Sequence, residues 1–393
     1  MTRLLLPLVL ALLTLTRVAA AATPVTLGYV GLADDPRHRP LRLYTGVVLR
    51  PEIRPVDGAR LAIKDARAVG RALDLAFGLE EVTVTGAEEA AAVVERLAAD
   101  KGVRFVLADL PAPMLAQLAT TPAGKEAVLL NVSATEDVLR GTSCAPGLFH
   151  TIPSQAMLAD ALAQYAALMQ WRRILLVAGP EQADEALALA YARAVQRFGG
   201  KIVDTRRFVS TRDPRQREQN NVRLLTQGVD YDAVLVADSV GEFGRSFPYQ
   251  TVLPRPVIGS VGLMPSAWHW AYERSGAPQL NQRFQREVGS ARPMSDEEFA
   301  AWAAVRSVIE VYSRTRSTDF AVLRQALADE GTSFDVYKDQ RASFRPWDHQ
   351  LRQPILLHTA DAVIATAPID RFLHERNQLD TLGVDQPQTD CRF

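Results

Sequence analysis

Residues 103–108 read Val-Arg-Phe-Val-Leu-Ala, an apolar run that is broken by one arginine and decides the fold class. An alanine-rich segment with helical spacing precedes this run at 87–100, and another helical segment follows it at 111–119. A strand without polar alternation is typical of a parallel sheet that helices cover on both faces. The stretch therefore predicts an α/β fold.

The same alternation of apolar runs and helical segments extends in both directions and occurs twice. Predicted strands lie at 26–32, 82–84, 103–108 and 127–132 in the first series, and at 173–177, 201–203, 233–237 and 256–259 in the second. Two such series predict two α/β lobes with parallel sheets. Between them, Pro153 favours extended backbone before a helix at 155–169, and this segment predicts the first crossover between the lobes.

The last third of the chain must return to lobes that have already begun. Helices are predicted at 266–275 and 295–315, and short strands at 334–337, 342–344 and 354–358. We therefore expect lobe 1 to contain 23–150 with about 264–332. Lobe 2 is expected to contain about 151–263 with about 333–393.

The first 22 residues predict export. Residues 4–16 form a nearly unbroken apolar run after Arg3, and small residues follow at 18–22, as in a cleaved secretory signal. The run is shorter than the roughly 20 residues that a membrane-spanning helix needs. We therefore expect 1–22 to be a signal peptide and the mature protein to be periplasmic.

Two cysteines, Cys144 and Cys391, are far apart in the sequence. In an exported chain, two thiols predict one disulfide, and two unpaired thiols are the alternative. Such a bond would tie the end of the chain to its middle.

Charge and motifs argue against nucleic-acid binding and catalysis. The 44 Lys and Arg residues balance 45 Asp and Glu residues, so the chain has no global basic field for nucleic acid. The sequence lacks a phosphate-binding glycine loop, a His-Glu-x-x-His motif and a Gly-x-Ser-x-Gly motif. Its six histidines have no metal-ligand spacing. We predict no enzyme activity, no catalytic residue, no metal ligand and no required cofactor.

Five segments carry a resemblance to a known family. They read GARLAIKD at 58–65, FVLAD at 105–109, LNVSAT at 130–135, LFHTIPS at 148–154 and WRRILLV at 171–177. In this order and spacing, the chain resembles the type I periplasmic binding proteins, in particular the branched-chain amino-acid-binding branch that serves ABC importers. The resemblance implies two Rossmann-like lobes joined by a three-crossover hinge, which close on a small solute and present it to a membrane permease.

The family's ligand-binding turns can be carried over to positions of this sequence. The resulting candidates are Leu110, Pro111, Ser133, Ala134, Thr135, Gln182, Asp238, Ser239 and Ser260. Ser133 and Thr135 resemble the serine and threonine that hold a carboxylate in amino-acid-binding members. The family's acidic position falls on Val261, and aromatic residues near Ala183 and Ser239 are missing. Asp238 either replaces the missing acid or caps the following helix.

A narrower resemblance covers two later segments and the cysteine-ending tail. GLMPSAWHW at 262–270 and FRPWDHQLRQP at 344–354 look like the subgroup associated with pyrroloquinoline-quinone-dependent alcohol oxidation. This resemblance implies the quinone (PQQ) or a related small molecule as a possible bound ligand, and a periplasmic quinoprotein dehydrogenase system as a partner. Trp268 and Trp270 could stack on such a ring. On a helix they would point about 200° apart, so at most one would face the cleft, and core packing is the alternative for each.

Together these observations predict the periplasmic solute-binding component of an ABC-type importer, linked to PQQ-dependent alcohol oxidation. The alternatives are an amino-acid or amide receptor and a periplasmic sensor that acts through a partner.

Overall fold

The computed structural model describes residues 22–42, 46–209 and 214–393. The predicted signal peptide lies outside these ranges except for Ala22. The strands are β1 (Thr23–Leu32), β2 (Leu41–Arg42), β3 (Val48–Arg50), β4 (Leu75–Val84), β5 (Phe105–Asp109), β6 (Val128–Asn131), β7 (Leu148–His150), β8 (Arg173–Ala178), β9 (Lys201–Arg207), β10 (Ala233–Ala237), β11 (Val257–Gly259), β12 (Met264–Ser266), β13 (Ser343–Phe344), β14 (Leu351–Arg352), β15 (Ile355–His358) and β16 (Val363–Ala367).

The α-helices alternate with these strands in the first two thirds of the chain and follow one another in the last third. They are α1 (Pro55–Asp65), α2 (Arg67–Leu73), α3 (Ala87–Lys101), α4 (Ala112–Thr120), α5 (Pro122–Glu126), α6 (Gln155–Leu168), α7 (Gln182–Arg197), α8 (Val222–Thr226), α9 (Ala277–Val288), α10 (Asp296–Thr315) and α11 (Phe320–Ala328). Within the described ranges, no helix is long and apolar enough to cross a membrane.

Lobe 1 is built on a five-stranded parallel sheet with the order β4-β1-β5-β6-β7. All five residues of β5 are buried, as the apolar sequence at 105–108 predicts for the first four. One face of the sheet packs against α1, α9, α10 and α11, and the other packs against α3 and α4. The predicted α/β fold with helices on both faces of a parallel sheet is therefore confirmed.

Lobe 2 contains a four-stranded parallel sheet with the order β11-β10-β8-β9. Its β8 and β10 are again almost entirely buried. Helices α6 and α7 cover one face, while Phe208, Tyr231 and Phe247 pack on the other. The antiparallel strands β12, β15 and β16 form a separate small sheet whose inner residues join the α6 and α7 cluster.

Three chain crossovers join the lobes, and their backbones are tied together by buried side chains. Gln353 Nε2 donates to Thr151 O at 2.7 Å in the first crossover. Lys338 Nζ donates to Ala267 O at 2.7 Å in the second and to Pro354 O at 2.9 Å in the third. Burial lowers the pKa of Lys338 to about 7. The hinge is therefore a hydrogen-bonded bundle of three segments.

The helix predicted at 266–275 is wrong. Residues 264–266 form β12, and the next helix, α9, begins only at Ala277. The carboxylate of Asp296 accepts hydrogen bonds from the backbone N–H groups of Ala267 and Trp268, at 3.0 and 2.9 Å. These contacts hold the segment in a non-helical turn at the second crossover.

The predicted disulfide between Cys144 and Cys391 is confirmed, with the two Cα atoms 5.6 Å apart. It connects the loop before β7 with the last residues of the chain. Phe334 and Phe344, which follow the predicted lobe boundary near residue 332, pack in the same apolar cluster as α10. The lobe boundaries themselves stay predictions.

Candidate ligand-binding site

A buried polar cluster lies at the carboxyl ends of β1 and β5, the edge of a parallel sheet where ligands bind in open α/β folds. Asp109, the last residue of β5, is at its centre. Tyr29 of β1 donates its hydroxyl proton to Asp109 Oδ2 at 2.7 Å, and His38 Nε2 lies 2.7 Å from Asp109 Oδ1. The cluster therefore fastens the loop after β1 to the end of β5.

Arg37 completes this cluster with a second carboxylate. Its guanidinium Nε and Nη2 donate to the oxygens of Asp35 over 2.6 to 3.1 Å, and Nη1 donates to Leu110 O at 3.4 Å. Arg37 Nη2 also lies 3.6 Å from Asp109 Oδ1. Two buried carboxylates thus lie against one guanidinium and one imidazole, both of which are partly exposed.

The shifts in pKa show that this cluster favours a charge-separated pair. Burial alone would raise the pKa of Asp109, but the hydrogen bond and charge of His38, with the nearby Ser133 and Tyr29 hydroxyls, lower it. Burial alone would lower the pKa of His38, but Asp109 raises it above the ordinary value. Burial, followed by the Asp109 charge, raises the pKa of Tyr29 well above its ordinary value. Tyr29 therefore stays a neutral donor.

Asp35, His38 and Asp109 each offer one ligand atom, and these atoms lie within 4.8 Å of one another, so they could hold a metal ion. However, Arg37 already bonds both oxygens of Asp35. Its positive charge balances the cluster and would repel a cation. The arrangement therefore suits an organic solute with polar groups better than a metal.

A cavity of about 430 Å³ opens beside the cluster. It is lined by residues of the carboxyl ends of β1, β4 and β5, of the segment between β1 and α1, and of α1 itself, including Tyr29, His38, Arg39, Glu52, Arg60 and Asp109. This volume is within the range of pockets that hold small organic ligands. This cluster was not predicted from the sequence, although charged residues directly after two predicted strands, at 34–35 and 109, are a signal for it.

The predicted residues of lobe 1 lie next to the cluster. Ser133 is buried beside the Asp109 carboxylate, and its hydroxyl has no well-aligned hydrogen-bond partner in the described part of the chain. The backbone N–H groups of Ser133 and Ala134 donate to Asn131 Oδ1 at 3.3 and 2.9 Å. Thr135 is half-buried, and its carbonyl accepts a hydrogen bond from Gln155 N of α6 at 2.9 Å.

Two further predicted residues of lobe 1 begin the turn after β5. Leu110 is fully buried, and its backbone carbonyl accepts the hydrogen bond from Arg37. Pro111 is half-buried and precedes the first residue of α4. The structure therefore places Leu110, Pro111 and residues 133–135 at one edge of the sheet. Direct ligand contact by each of them stays a prediction.

The predicted residues of lobe 2 lie at the carboxyl ends of β8, β10 and β11. The Asp238 carboxylate accepts hydrogen bonds from the backbone N–H groups of Gly241 and Gly244, both at 2.8 Å, as a capping residue does. Ser260 Oγ accepts the N–H of Asp238 at 3.0 Å. Gln182 and Ser239 are exposed, and Ser239 N donates to Asp184 Oδ1.

The two predicted tryptophans have different surroundings. Trp268 is buried, donates from Nε1 to Asn281 Oδ1 at 2.9 Å, and stacks on Phe299 with ring centroids 4.6 Å apart. Trp270 is 47% exposed. Trp268 therefore makes the contacts of a core residue, whereas Trp270 has an accessible ring. Ligand contact by either tryptophan stays a prediction.

Comparisons with known proteins agree with this architecture. A family model described as periplasmic binding protein matches residues 53–247, about half of the chain. No curated protein matches the sequence. All the structures described next are less than 25% identical to the chain, and such a likeness reports on the fold.

Three solved structures illustrate the likeness. A branched-chain amino-acid ABC transporter periplasmic ligand-binding protein from Burkholderia xenovorans has 15% identity and a TM-score of 0.68, over 87% of this chain and 95% of that one. The leucine-, isoleucine-, valine-, threonine- and alanine-binding protein from Brucella ovis has 15% identity and a TM-score of 0.65, over 86% and 89%. A solute-binding protein of an ABC transporter from Rhodopseudomonas palustris, in complex with 3,4-dihydroxybenzoic acid, has 11% identity and a TM-score of 0.61, over 86% and 93%.

Proposed function

Because the chain belongs to the periplasmic binding protein family, of type I, we propose that it is the periplasmic solute-binding component of an ABC-type importer. It captures a small solute between its lobes and delivers it to a membrane permease. The observation that carries this proposal is the cavity beside Asp109, at the carboxyl edge of the lobe 1 sheet. That edge is where this kind of sheet places its ligands.

Solute capture in this proposal needs no covalent step. The solute rests on the turns after β1, β5 and β6, and lobe 2 closes over it with the turns after β8, β10 and β11. Contacts from both lobes stabilise the closed form, and the solute shifts the equilibrium only by its difference in affinity for the two forms. The hydrogen-bonded hinge guides the rotation.

The class of solute is proposed from the chemistry of the lobe 1 edge. Ser133 offers its hydroxyl, but the N–H groups of Ser133 and Ala134 are already bonded to Asn131. A carboxylate at this turn would therefore have fewer free donors and the Asp109 carboxylate as a neighbour. A solute that presents hydroxyl, amide or ammonium donors to this turn suits it better. Examples are amino acids whose ammonium group, rather than the carboxylate, faces the turn, amides, and polyhydroxylated ring compounds.

Pyrroloquinoline quinone, or a related molecule of alcohol oxidation, is the finer proposal that comes from the sequence resemblance. The half-exposed ring of Trp270 supports it, because a planar conjugated solute needs an aromatic face. In this version a periplasmic quinoprotein dehydrogenase system is a functional partner. The amino-acid or amide receptor fits the same fold equally well.

A thermal-shift panel on residues 23–393 tests the proposal. The panel contains the quinone, branched-chain and aromatic amino acids, their amides, and 3,4-dihydroxybenzoate. A solute at 100 times its dissociation constant adds about 2.7 kcal/mol of stability, which raises the melting temperature by a few degrees. Ser133→Ala should weaken the response, while Ser290→Ala, at an exposed serine far from the strand ends, should not. Silence across the panel would contradict solute capture and favour a sensor that needs a partner.

A further inference from the structure

The C-terminal tail of the chain is attached to lobe 2 at Gly383. Gly383 donates its N–H to Asp160 Oδ2 of α6 at 2.8 Å, and its carbonyl accepts a hydrogen bond from Arg197 of α7 at 2.7 Å. Leu382, just before it, is fully buried in the apolar cluster of lobe 2. This end of the tail is therefore anchored in the lobe 2 core.

The same tail ends on lobe 1. Cys391 is bonded to Cys144, and Thr389 Oγ1 donates to Arg140 O at 3.5 Å. The loop that contains Cys144 belongs to lobe 1, because Leu139 and Ala145 on either side of it pack in a lobe 1 cluster. The tail from 383 to 391, which we name the strap, therefore runs from one lobe to the other.

Along its way the strap lies against the hinge. Trp347 Nε1 donates to Val384 O at 3.3 Å, and the ring of Phe393 lies 4.6 Å from the ring of His349. His349 in turn stacks on Phe149 of β7, just before the first crossover, with ring centroids 4.0 Å apart. The strap thus connects the lobes beside the segments of the first and third crossovers, and its far end is held by a covalent bond.

We propose that the strap is a fourth, disulfide-anchored connection that limits how far the lobes open in the ligand-free protein. Gln386–Gln388 form a short 3₁₀ turn inside the strap, so the strap has some length in reserve. It therefore sets an outer limit on opening and leaves closure free. This proposal concerns the hinge alone and does not depend on which solute the cleft takes.

The bond can be opened chemically without changing the sequence. A dithiol reductant attacks the disulfide, the S–S bond breaks to give two thiols, and the reductant becomes a disulfide itself. After reduction, the tail end would keep non-covalent contacts such as the hydrogen bond from Thr389 Oγ1 to Arg140 O and the contact of the Phe393 ring with His349. We expect such non-covalent contacts to yield when the lobes rotate apart.

The test measures the distance between the lobes in the ligand-free protein. Non-cysteine spin labels are placed at Glu88, in the first turn of α3, and at Ala186, in the first turns of α7. These positions follow the carboxyl ends of β4 in lobe 1 and β8 in lobe 2. Pulsed electron resonance then compares the oxidised protein with the reduced protein, whose free thiols are counted. We expect a longer mean distance and a broader distribution after reduction.

A second variant separates the strap from the general effect of losing a disulfide. A protease site inserted at 386–388, in the exposed part of the strap, allows it to be cut while the disulfide stays intact. The matched control carries the same site at 360–362, in the exposed turn between β15 and β16, which does not connect the lobes.

Cutting the strap should widen the distance distribution as reduction does, and cutting the control turn should leave it unchanged. Identical distributions in the oxidised, reduced and strap-cut proteins would overturn the proposal. A change after reduction alone, or after cutting alone, would overturn it as well. Where circular dichroism reports that reduction unfolds the chain, the strap-cut protein decides.

Discussion

The carboxyl edges of the two parallel sheets differ in what they do with their buried carboxylates. In lobe 1, Asp109 bonds side chains from distant parts of the chain, namely Tyr29 and His38, beside a cavity. In lobe 2, Asp238 bonds the backbone N–H groups of its own turn. Lobe 1 therefore presents a preorganised charged site, whereas lobe 2 presents turns held in shape from within.

This difference assigns separate tasks to the two lobes. A charged network that spans three chain segments is sensitive to any change of a partner, because a buried charge left alone is costly. A turn that caps itself tolerates change more easily. We expect lobe 1 to determine which solute binds and lobe 2 to cover it.

The largest effect should come from Asp109→Ala. This change removes the buried carboxylate that bonds Tyr29 and His38, while Arg37 keeps its bonds to Asp35. Breaking a fully buried charge pair costs about 3–5 kcal/mol, and because the imidazole is partly exposed we expect a loss near the lower end of that range. Urea unfolding of the ligand-free protein measures the loss. Asp109→Asn, which keeps the shape but removes the charge, should lose less. A variant as stable as the wild type would show that the network does not hold the β1 loop.

A smaller effect is expected for the matching change in lobe 2, Asp238→Ala. It removes the acceptor of two backbone N–H groups, and a lost cap of this kind costs about 1–2 kcal/mol. The same urea experiment measures it. A loss as large as that of Asp109→Ala would remove the difference between the two edges.

The pH dependence of stability should reflect the shifted pKa values of His38 and Asp109 in lobe 1. Asp109 raises the pKa of His38 in the folded protein. The stabilisation that protonated His38 adds to the folded protein is therefore complete below the unfolded pKa of histidine and is lost as the pH rises through the folded pKa. The pKa of Asp109 is lowered in the folded protein. The stabilisation from its ionised carboxylate is therefore present above the unfolded pKa of aspartate and is lost as the pH falls through the folded pKa.

Unfolding free energies of wild type and His38→Gln, measured from pH 5 to pH 9, isolate this contribution. The difference in unfolding free energy between the two proteins should become smaller toward high pH. We expect this change to be smaller than the loss of stability caused by Asp238→Ala. A difference that stays constant over this range would mean that the imidazole does not titrate in the folded cluster.

The smallest stability effect, and the sharpest functional one, is expected for Ser133→Ala. The Ser133 hydroxyl has no well-aligned partner within the described residues, so its removal should change stability by less than about 0.5 kcal/mol. Solute affinity, measured by titration calorimetry, should fall. Ser239→Ala in lobe 2 is the comparison, and it should weaken binding less. Equal losses in the two variants would place recognition in both lobes.

Much of the fold could be predicted from the sequence, because buried parallel strands are recorded locally as unbroken apolar runs. Strands β5, β8 and β10 lie at 105–109, 173–178 and 233–237, close to the predicted segments. The helix predicted at 266–275 failed for the opposite reason. The carboxylate of Asp296, which holds that segment in a turn, lies 28 and 29 residues further along the chain.

The candidate site was predictable only in part. The turn at Ser133 to Thr135 follows a strand and carries a family resemblance, so it could be located. The contacts of Asp109 join residues 71 and 80 positions apart, and no local pattern records such pairs. These contacts depend on the strand order β4-β1-β5, which places the ends of β1 and β5 side by side.

Amide hydrogen exchange with and without the strongest solute of the panel tests the central claim most directly. The account predicts that the solute slows exchange at the lobe 1 turns, 33–42, 109–111 and 131–136, more than at the lobe 2 turns, 179–184 and 238–244. Protection confined to lobe 2, or no protection at the lobe 1 turns, would contradict a solute site built on the Asp109 edge.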